Sequence, residues 1–343
     1  MKKIVFIFSL MLCINAKADD EITIVAQSDS NDASTKCGDN CTWTLYSNGK
    51  LEIKGTGDMY NYTADDTGTP LWEGTHGWQT TAPWGEYSAQ ISNIKINSGI
   101  TSIGYYAFYN TAVTSADIPD TVTSIYGGAF QYASRLSEAA LPKNLIHIGH
   151  AALAETLVKS FIVPESLQSF DTYPFYTQSL ENLVFEGDVD IKKNMFSDST
   201  GYIPQTLSSI YCQASNTSCQ GFKNDEQIGD KINVYEKQGG VYILEDGTMF
   251  ASPNDMIGGR NVCENLDTCK AKVLKNKGYC SSDESCMAMV DLENANHPIE
   301  YKNKSYASVD DLLKGKYMPK RIYTLEEANA VAGDKNRVSI KYR

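Results

Sequence analysis

Between residues 91 and 212 the apolar positions fall in one recurring order: an apolar residue, two others, a small or apolar residue, one other, and a third apolar residue. The occurrences are Ile91-Ile94-Ile96, Val113-Ala116-Ile118, Leu136-Ala139-Leu141, Leu157-Ser160-Ile162, Leu180-Leu183-Phe185 and Leu207-Ile210-Cys212, spaced by 21 to 23 residues until the last interval lengthens. A second signature keeps register with the first: Ala107-Phe108, Ala129-Phe130, Ala152-Leu153 and Pro174-Phe175, with Met195-Phe196 in a looser fifth place. A fixed period of this length predicts a stack of like units, each burying its apolar face only against its neighbours. Within a unit the first six residues read as a short strand. A turn with a second apolar pair follows, such as Ile100 and Ile103, Val122 and Ile125, or Leu145 and Ile148. The Ala-Phe pair is expected to close the unit with a short helical turn.

The flanks have other patterns. Thr42-Trp43-Thr44-Leu45-Tyr46 and Lys50-Leu51-Glu52-Ile53-Lys54 alternate in phase around Asn48-Gly49, the signal of a tight hairpin. Its apolar face suits the open end of the stack, so residues 37–90 read as a β-rich N-terminal cap. Residues 55–90 within it form a long looped insertion anchored by Trp72, Trp78 and Trp84. Residues 19–36 start with a short alternating stretch and continue with Ser, Asp and Asn, and read as a tether. The stack itself is placed at 91–221.

Residues 222–343 read as a small α+β module. Phe250-Ala-Ser252 with Asp255 and Gly259 matches Tyr306-Ala-Ser308 with Asp311 and Gly315, and Thr324 with Glu327 repeats the idea. A hydroxyl followed three residues later by an acid marks a helix start. Strand-like stretches at 241–244, 299–301 and 321–323 precede these helices, and an alternating strand closes the chain at 337–343.

Residues 1–18 carry Lys2 and Lys3, an apolar run over 4–14 and Ala16-Lys17-Ala18, the layout of a cleaved signal peptide. Leu12 before Cys13 argues against a lipid anchor, and no later apolar run is long enough to span a bilayer. The expectation is an exported protein, extracellular or at the cell surface, with the periplasm as a further option. Without the leader 27 basic residues face 42 acidic ones, a net charge of −15, which argues against a nucleic-acid partner. The eight remaining cysteines fall into close pairs: Cys37 with Cys41, Cys212 with Cys219, Cys263 with Cys269, and Cys280 with Cys286. An even, locally spaced set in an exported chain reads as disulfides.

The stretch from Cys37 through Leu45, then Leu51-Glu-Ile-Lys-Gly-Thr-Gly-Asp-Met59, Pro83-Trp84 and Ile100-Thr-Ser-Ile-Gly-Tyr-Tyr-Ala-Phe108, resembles the opening of BspA-type leucine-rich repeat proteins. The unit Ile118-Pro-Asp-Thr-Val-Thr-Ser-Ile125 with Ala129-Phe130 is similar to the same family's repeat. The likeness covers about residues 36 to 213. It implies a β-rich, right-handed leucine-rich repeat solenoid of about six units on an exported or surface protein, assigned to adhesion or protein recognition, with no shared catalytic site. Two departures stand out: the family's Cys after Ala-Phe is replaced here, and the unit around Asp188 to Met195 is irregular.

Residues between the inward positions of each strand face the exposed side of the sheet. The fifth position down the stack is Lys95, Asp117, Ala140, Phe161, Val184 and Tyr211, and the last four make an apolar strip with Val163 beside it. Two readings stay open: a partner site, or a face covered by residues 222–343. The polar stretch Asn93, Lys95, Asn97, Ser115 and Asp117 is expected to be open in either case. The candidate ligand-binding residues are therefore Asn93, Lys95, Asp117, Ala140, Phe161, Val184 and Tyr211. His147 and His150 lack a further ligand and read as turn substitutions rather than a metal site. No nucleophile with base and orienter is recognisable, so no catalytic residue and no cofactor is assigned. The expected function is non-enzymatic recognition of a protein or glycan on the concave face. The alternative is an envelope architectural role in which the repeats are a spacer and the C-terminal module anchors or assembles.

Overall fold

A computed structural model of the chain describes residues 22–29, 31–66, 78–198 and 200–318. The expected leader, Trp72, the helix at Thr324 and the strand at 337–343 lie outside the described residues.

Strand β1 (Ile24–Gln27) pairs antiparallel with β2 (Asn40–Tyr46), which pairs with β3 (Lys50–Asp58) across the Asn48-Gly49 turn. Gly49 takes the left-handed conformation the turn requires, at φ +79°. The segment read as a tether thus adds an edge strand. The indole Nε1 of Trp43 donates to the Thr35 carbonyl at 2.8 Å and ties down the chain between β1 and β2. A short antiparallel pair follows, β4 (Ala64–Asp66) with β5 (Trp78–Thr80).

Long β3 starts two parallel ladders. In the first three units the first strand joins one ladder and the second strand joins the other: β6 (Asn93–Ile96) and β7 (Ile100–Ile103), β8 (Ser115–Asp117) and β9 (Ser124–Ile125), β10 (Glu138–Ala139) and β11 (His147–Ile148); in the fourth, β12 (Ser160–Val163) starts a separate sheet while β13 (Ser169–Phe170) ends the second ladder. Leu51, Ile94, Ala116 and Ala139 stand in register on the first ladder. Ile103, Ile125, Ile148 and Phe170 do so on the second. Alternation along each strand turns these apolar side chains inward, where stacking removes them from water.

A third run of bonds links the Ala-Phe turns. Phe108 N–H donates to Ala129 O at 2.7 Å, Phe130 N–H to Ala152 O at 2.8 Å, and Leu153 N–H to Pro174 O at 3.0 Å. These segments are turns and not the expected helical turn. The residue before each pair, Tyr106, Gly128, Ala151 or Tyr173, sits at φ between 51° and 63°, a left-handed conformation that interrupts a right-handed helix. Inside, Trp84 stacks on Phe108 at 5.4 Å and Phe108 on Phe130 at 5.1 Å. Trp84 is fully buried, with its Nε1 donating to Ala107 O at 2.9 Å, whereas Trp78 is exposed and does not act as an anchor.

The first ladder stops at β10. A second sheet starts at β12 and continues in parallel through β14 (Asn182–Phe185), β15 (Ser209–Gln213) and β16 (Ile232–Gln238), then antiparallel through β17 (Val241–Leu244) and β18 (Met249–Phe250). Ile210 pairs with Ile232 and Cys212 with Val234, so the parallel ladder runs past residue 221, where the stack was expected to end.

Helix α1 (Thr217–Gly221) lies between β15 and β16, and α2 (Pro253–Gly258), α3 (Leu266–Asn276), α4 (Asp283–Asn294) and α5 (Val309–Leu313) follow β18. Ser252 and Ser308 cap α2 and α5, accepting from Asp255 N–H and Asp311 N–H. A hairpin of β19 (Ile299–Tyr301) and β20 (Lys304–Tyr306) precedes α5. Helices α3 and α4 are not among those expected from the sequence. Each starts inside a disulfide, with a cap residue two places after the first cysteine: Asn265 within Cys263–Cys269 and Ser282 within Cys280–Cys286. That spacing was the available signal. The remaining bridges join Cys37 to Cys41 and Cys212 to Cys219, so all four nearest-neighbour pairs are present.

Candidate functional site

The outward positions of the first strand of each unit form columns along the stack. One column is polar throughout: Asn93, Ser115, Glu138, Ser160, Asn182 and Ser209. Asn93 donates to Ser115, and Asn182 Nδ2 donates to Ser160 Oγ at 3.2 Å. The neighbouring column changes character along its length. Lys95 and Asp117 form an ion pair at 2.8 Å, which raises the lysine's affinity for its proton, and exposed Ala140 follows. Beyond Ala140 the column continues with Ile162, Val184 and Tyr211.

Ile162 stands where Phe161 was expected. The inward residues of the fourth unit are Val158, Phe161 and Val163, all buried, and Leu157 is 47% exposed. The ring of Phe161 lies 5.1 Å from that of Phe175 inside the stack. The apolar doublet Leu157-Val158 and the run Phe161-Ile162-Val163 fit two frames. The frame adopted puts a phenylalanine and two valines inside; the other would bury the Ser160 hydroxyl. It also makes the intervals from Leu136 to Val158 and from Val158 to Leu180 equal, at 22 residues each. Phe161 and Val163 therefore belong to the core and are withdrawn from the binding face.

Val184 and Tyr211 are outward but covered. They pack with Tyr235, Tyr242, Phe250 and Met256, and Ile162, Leu244 and Ile257 border the cluster. Val184 has no exposed surface and Tyr211 retains 9%. Polar contacts hold the cover in place: Tyr235 OH donates to Phe185 O at 2.7 Å, Tyr242 OH bonds to Glu186, and Lys237 Nζ lies 3.3 Å from the same carboxylate. Burial, followed by the nearby Glu186 charge, pushes both Tyr235 and Tyr242 well above the usual tyrosine range. Of the seven candidate residues, Asn93, Lys95, Asp117 and Ala140 remain on an accessible face.

A cleft of about 730 Å³ lies where the open and covered halves meet. Its walls include Asp117, Glu138 and Ala140 from the open half, Ile162 and Glu186 from the covered half, and Ile257 of α2. Glu138, Glu186 and Ile257 were not singled out from sequence. Glu138 follows directly from the column register, but Ile257 depends on a long-range fold-back with no local signature.

His147 Nδ1 lies 3.0 Å from Ser169 Oγ and His150 Nδ1 lies 2.6 Å from Thr172 Oγ1, so each imidazole bonds to the next unit. Among the described residues no three His, Cys, Asp or Glu side chains come together as a metal site.

The family model for the BspA type leucine-rich repeat region matches residues 86–215 with six copies. A leucine-rich repeat protein of Eubacterium ventriosum is similar in structure at 21% identity and a TM-score of 0.34, over 61% of this chain and 47% of that one. Another from Bacteroides ovatus is 20% identical with a TM-score of 0.32, over 51% of this chain and 48% of that one. The chain thus spans about half the length of these two proteins. A leucine-rich cell surface protein of Faecalibacterium prausnitzii is 15% identical with a TM-score of 0.23, over 51% of this chain and 69% of that one. No curated protein matches the chain. The six matched copies fall on the stretch that carries the ladders described above, so residues 86–215 are similar to the BspA type leucine-rich repeat region.

Proposed function

We propose that this is an exported or surface-displayed, non-enzymatic recognition protein that binds a protein or glycan through the open half of its first-ladder face. The observation that carries the reading is the accessible column from Asn93 and Lys95 through Asp117 to Ala140, which runs into the 730 Å³ cleft. A mixed surface of charge, amide and small apolar side chains, held rigid by parallel strands, suits recognition better than a mobile loop does. Four local disulfides support the exported setting, and among the described residues no helix is long and apolar enough to cross a membrane.

The architectural reading has its own support, because residues 241–257 bury the second half of the same face. In that reading the hairpin β2–β3 and the segment after β16 close the two ends of the stack, as terminal repeats must. Binding of the full chain to protein and glycan arrays separates the two. Under the recognition reading Ala140→Arg and Lys95→Glu each lower array binding at least tenfold with unchanged circular dichroism. Unchanged binding by both variants would favour the architectural reading.

A further inference from the structure

The turns that close the first units carry aromatic side chains where the backbone favours glycine. Two left-handed positions stay in register along the third run of bonds: Tyr106, Gly128, Ala151 and Tyr173 at the first, and Asn110, Tyr132 and Glu155 at the second. Glycine adopts this conformation at no steric cost and asparagine at a small one, whereas a tyrosine there is strained. Gly128 shows that the fold accepts glycine at the first position, so the backbone does not require the rings of Tyr106 and Tyr173. Nor do these rings fill the interior. Tyr106, Tyr132 and Tyr173 are half-buried, and neighbouring Tyr105 is 40% exposed. Strain kept at a partly exposed position points to a use for the side chain itself.

The rings are joined along the stack. Tyr105 stacks on Tyr126 with centroids 5.2 Å and planes 16° apart, and Tyr126 lies 6.3 Å from His147. In a second set, Tyr106 meets Tyr109 at 5.5 Å and Tyr109 meets Tyr132 of the next unit at 5.6 Å. Glycines make room for both sets. A Cβ on Gly127 would lie 3.1 Å from the Tyr105 ring, and one on Gly128 would lie 2.6 Å from the Tyr106 ring. Gly127 is not left-handed, so its lack of a side chain serves the ring and the His150 carbonyl, 3.2 Å from the same point.

The charge of this face narrows what fits. Residues 104–111 and 126–134 contain no Asp, Glu, Lys or Arg, although the chain has a formal net charge of −12. A charged partner gains no complementary group from these turns. Tyrosine offers a flat apolar body with a hydroxyl at its edge, at little cost in side-chain entropy. The matching chemistry is a neutral chain whose units have an apolar ring face and a rim of hydroxyls. One aromatic step per unit, 5.2 Å from Tyr105 to Tyr126 and 5.6 Å from Tyr109 to Tyr132, gives successive sugars of an extended glycan a ring to lie on.

We infer that the turn face of the first three units, from Tyr105 and Tyr106 through Tyr126 and Tyr132 to His147, is a second binding site, and that it takes a neutral glycan lying along the stack with its sugar faces on the rings. The site is separate from the first-ladder face and does not depend on recognition there.

The test is native affinity electrophoresis of the full chain, disulfides intact, in gels containing dextran, mannan, laminarin, galactan or hydroxyethylcellulose. At least one of these neutral polysaccharides is expected to retard the chain, and Tyr105→Ala combined with Tyr126→Ala to weaken the apparent affinity at least tenfold. Tyr105→Ala alone removes an exposed ring and should weaken it at least threefold with an unchanged thermal midpoint, while Tyr105→Phe retains it. Retardation by none of these polysaccharides overturns the proposal. So does retardation that survives the loss of both rings, or that Ala140→Arg abolishes and Tyr105→Ala does not, which would move the glycan to the first-ladder face. If the chain binds only proteins on arrays and Tyr105→Ala lowers that binding, the face is a protein interface and the glycan assignment fails.

Discussion

The outward face of the parallel sheet has the same backbone in its two halves and opposite fates. From β6 to β10 the variable column reads Lys95, Asp117 and Ala140 and stays in contact with solvent; from β12 to β15 it reads Ile162, half-buried, and then Val184 and Tyr211, which are buried beneath Tyr242, Phe250 and Met256. One residue per unit decides the difference. Charged and small side chains leave little apolar area to hide, whereas an isoleucine, a valine and a tyrosine in a row give the segment after β16 a surface on which to fold.

The largest effects come from the covered half and from the core beneath it. Val184→Asp places a charge in a site without exposed surface and is expected to cost about 3–5 kcal/mol in urea unfolding, while Ala140→Asp, in the same column, changes stability by less than about 0.5 kcal/mol. Equal costs would erase the distinction between the halves. Phe161→Ala is likewise expected to lose about 3–5 kcal/mol, because its ring fills the interior beside Phe175. A loss below about 1 kcal/mol would instead return Phe161 to the surface.

Replacing Cys263 and Cys269 with alanine removes the bridge at the start of α3 and is expected to cost about 2 kcal/mol, in keeping with so short a loop. Ser252→Ala removes the cap of α2, the helix that carries Met256 and Ile257 over the apolar strip, at about 1 kcal/mol. Both are read by thermal unfolding, and Ser252→Ala should also increase hydrogen exchange at 253–258.

The smallest effect at neutral pH appears only in alkali. Tyr235 and Tyr242 have folded pKa values raised above the unfolded value by burial, so each contributes stability that is fully present below pH about 10 and is lost as the unfolded state ionises above it. The covered half is expected to loosen first above that pH, seen as increased hydrogen exchange at 241–257 before the first ladder. Simultaneous loss of both halves would contradict this.

Much of this fold is legible in the sequence because its information is local and repeated. Ile94, Ala116 and Ile210 announce their inward positions by period, and Asn48-Gly49 and Ser252 announce a turn and a cap by their own chemistry. The misreadings have physical causes. Leu157-Val158 and Phe161-Ile162-Val163 satisfy two frames, separated by the cost of burying Ser160 and by the evenness of the repeat intervals. Helices α3 and α4 have their starts hidden in what reads as a disulfide pattern. The accessible part of the candidate site, Asn93 to Ala140, followed from alternation alone. The loss of Val184 and Tyr211 from it did not, since which partner covers an apolar strip is a property of tertiary fold-back from residues dozens of positions away.

The division of the face into an open and a covered half is tested most directly by hydroxyl-radical footprinting of the full chain under native conditions. Tyr211 and Met256 are expected to react at least tenfold more slowly than exposed Tyr105 and Met318, and urea unfolding should abolish that protection. If Tyr211 and Met256 react in the native chain as fast as Tyr105 and Met318, the second half of the sheet is open and the account is wrong.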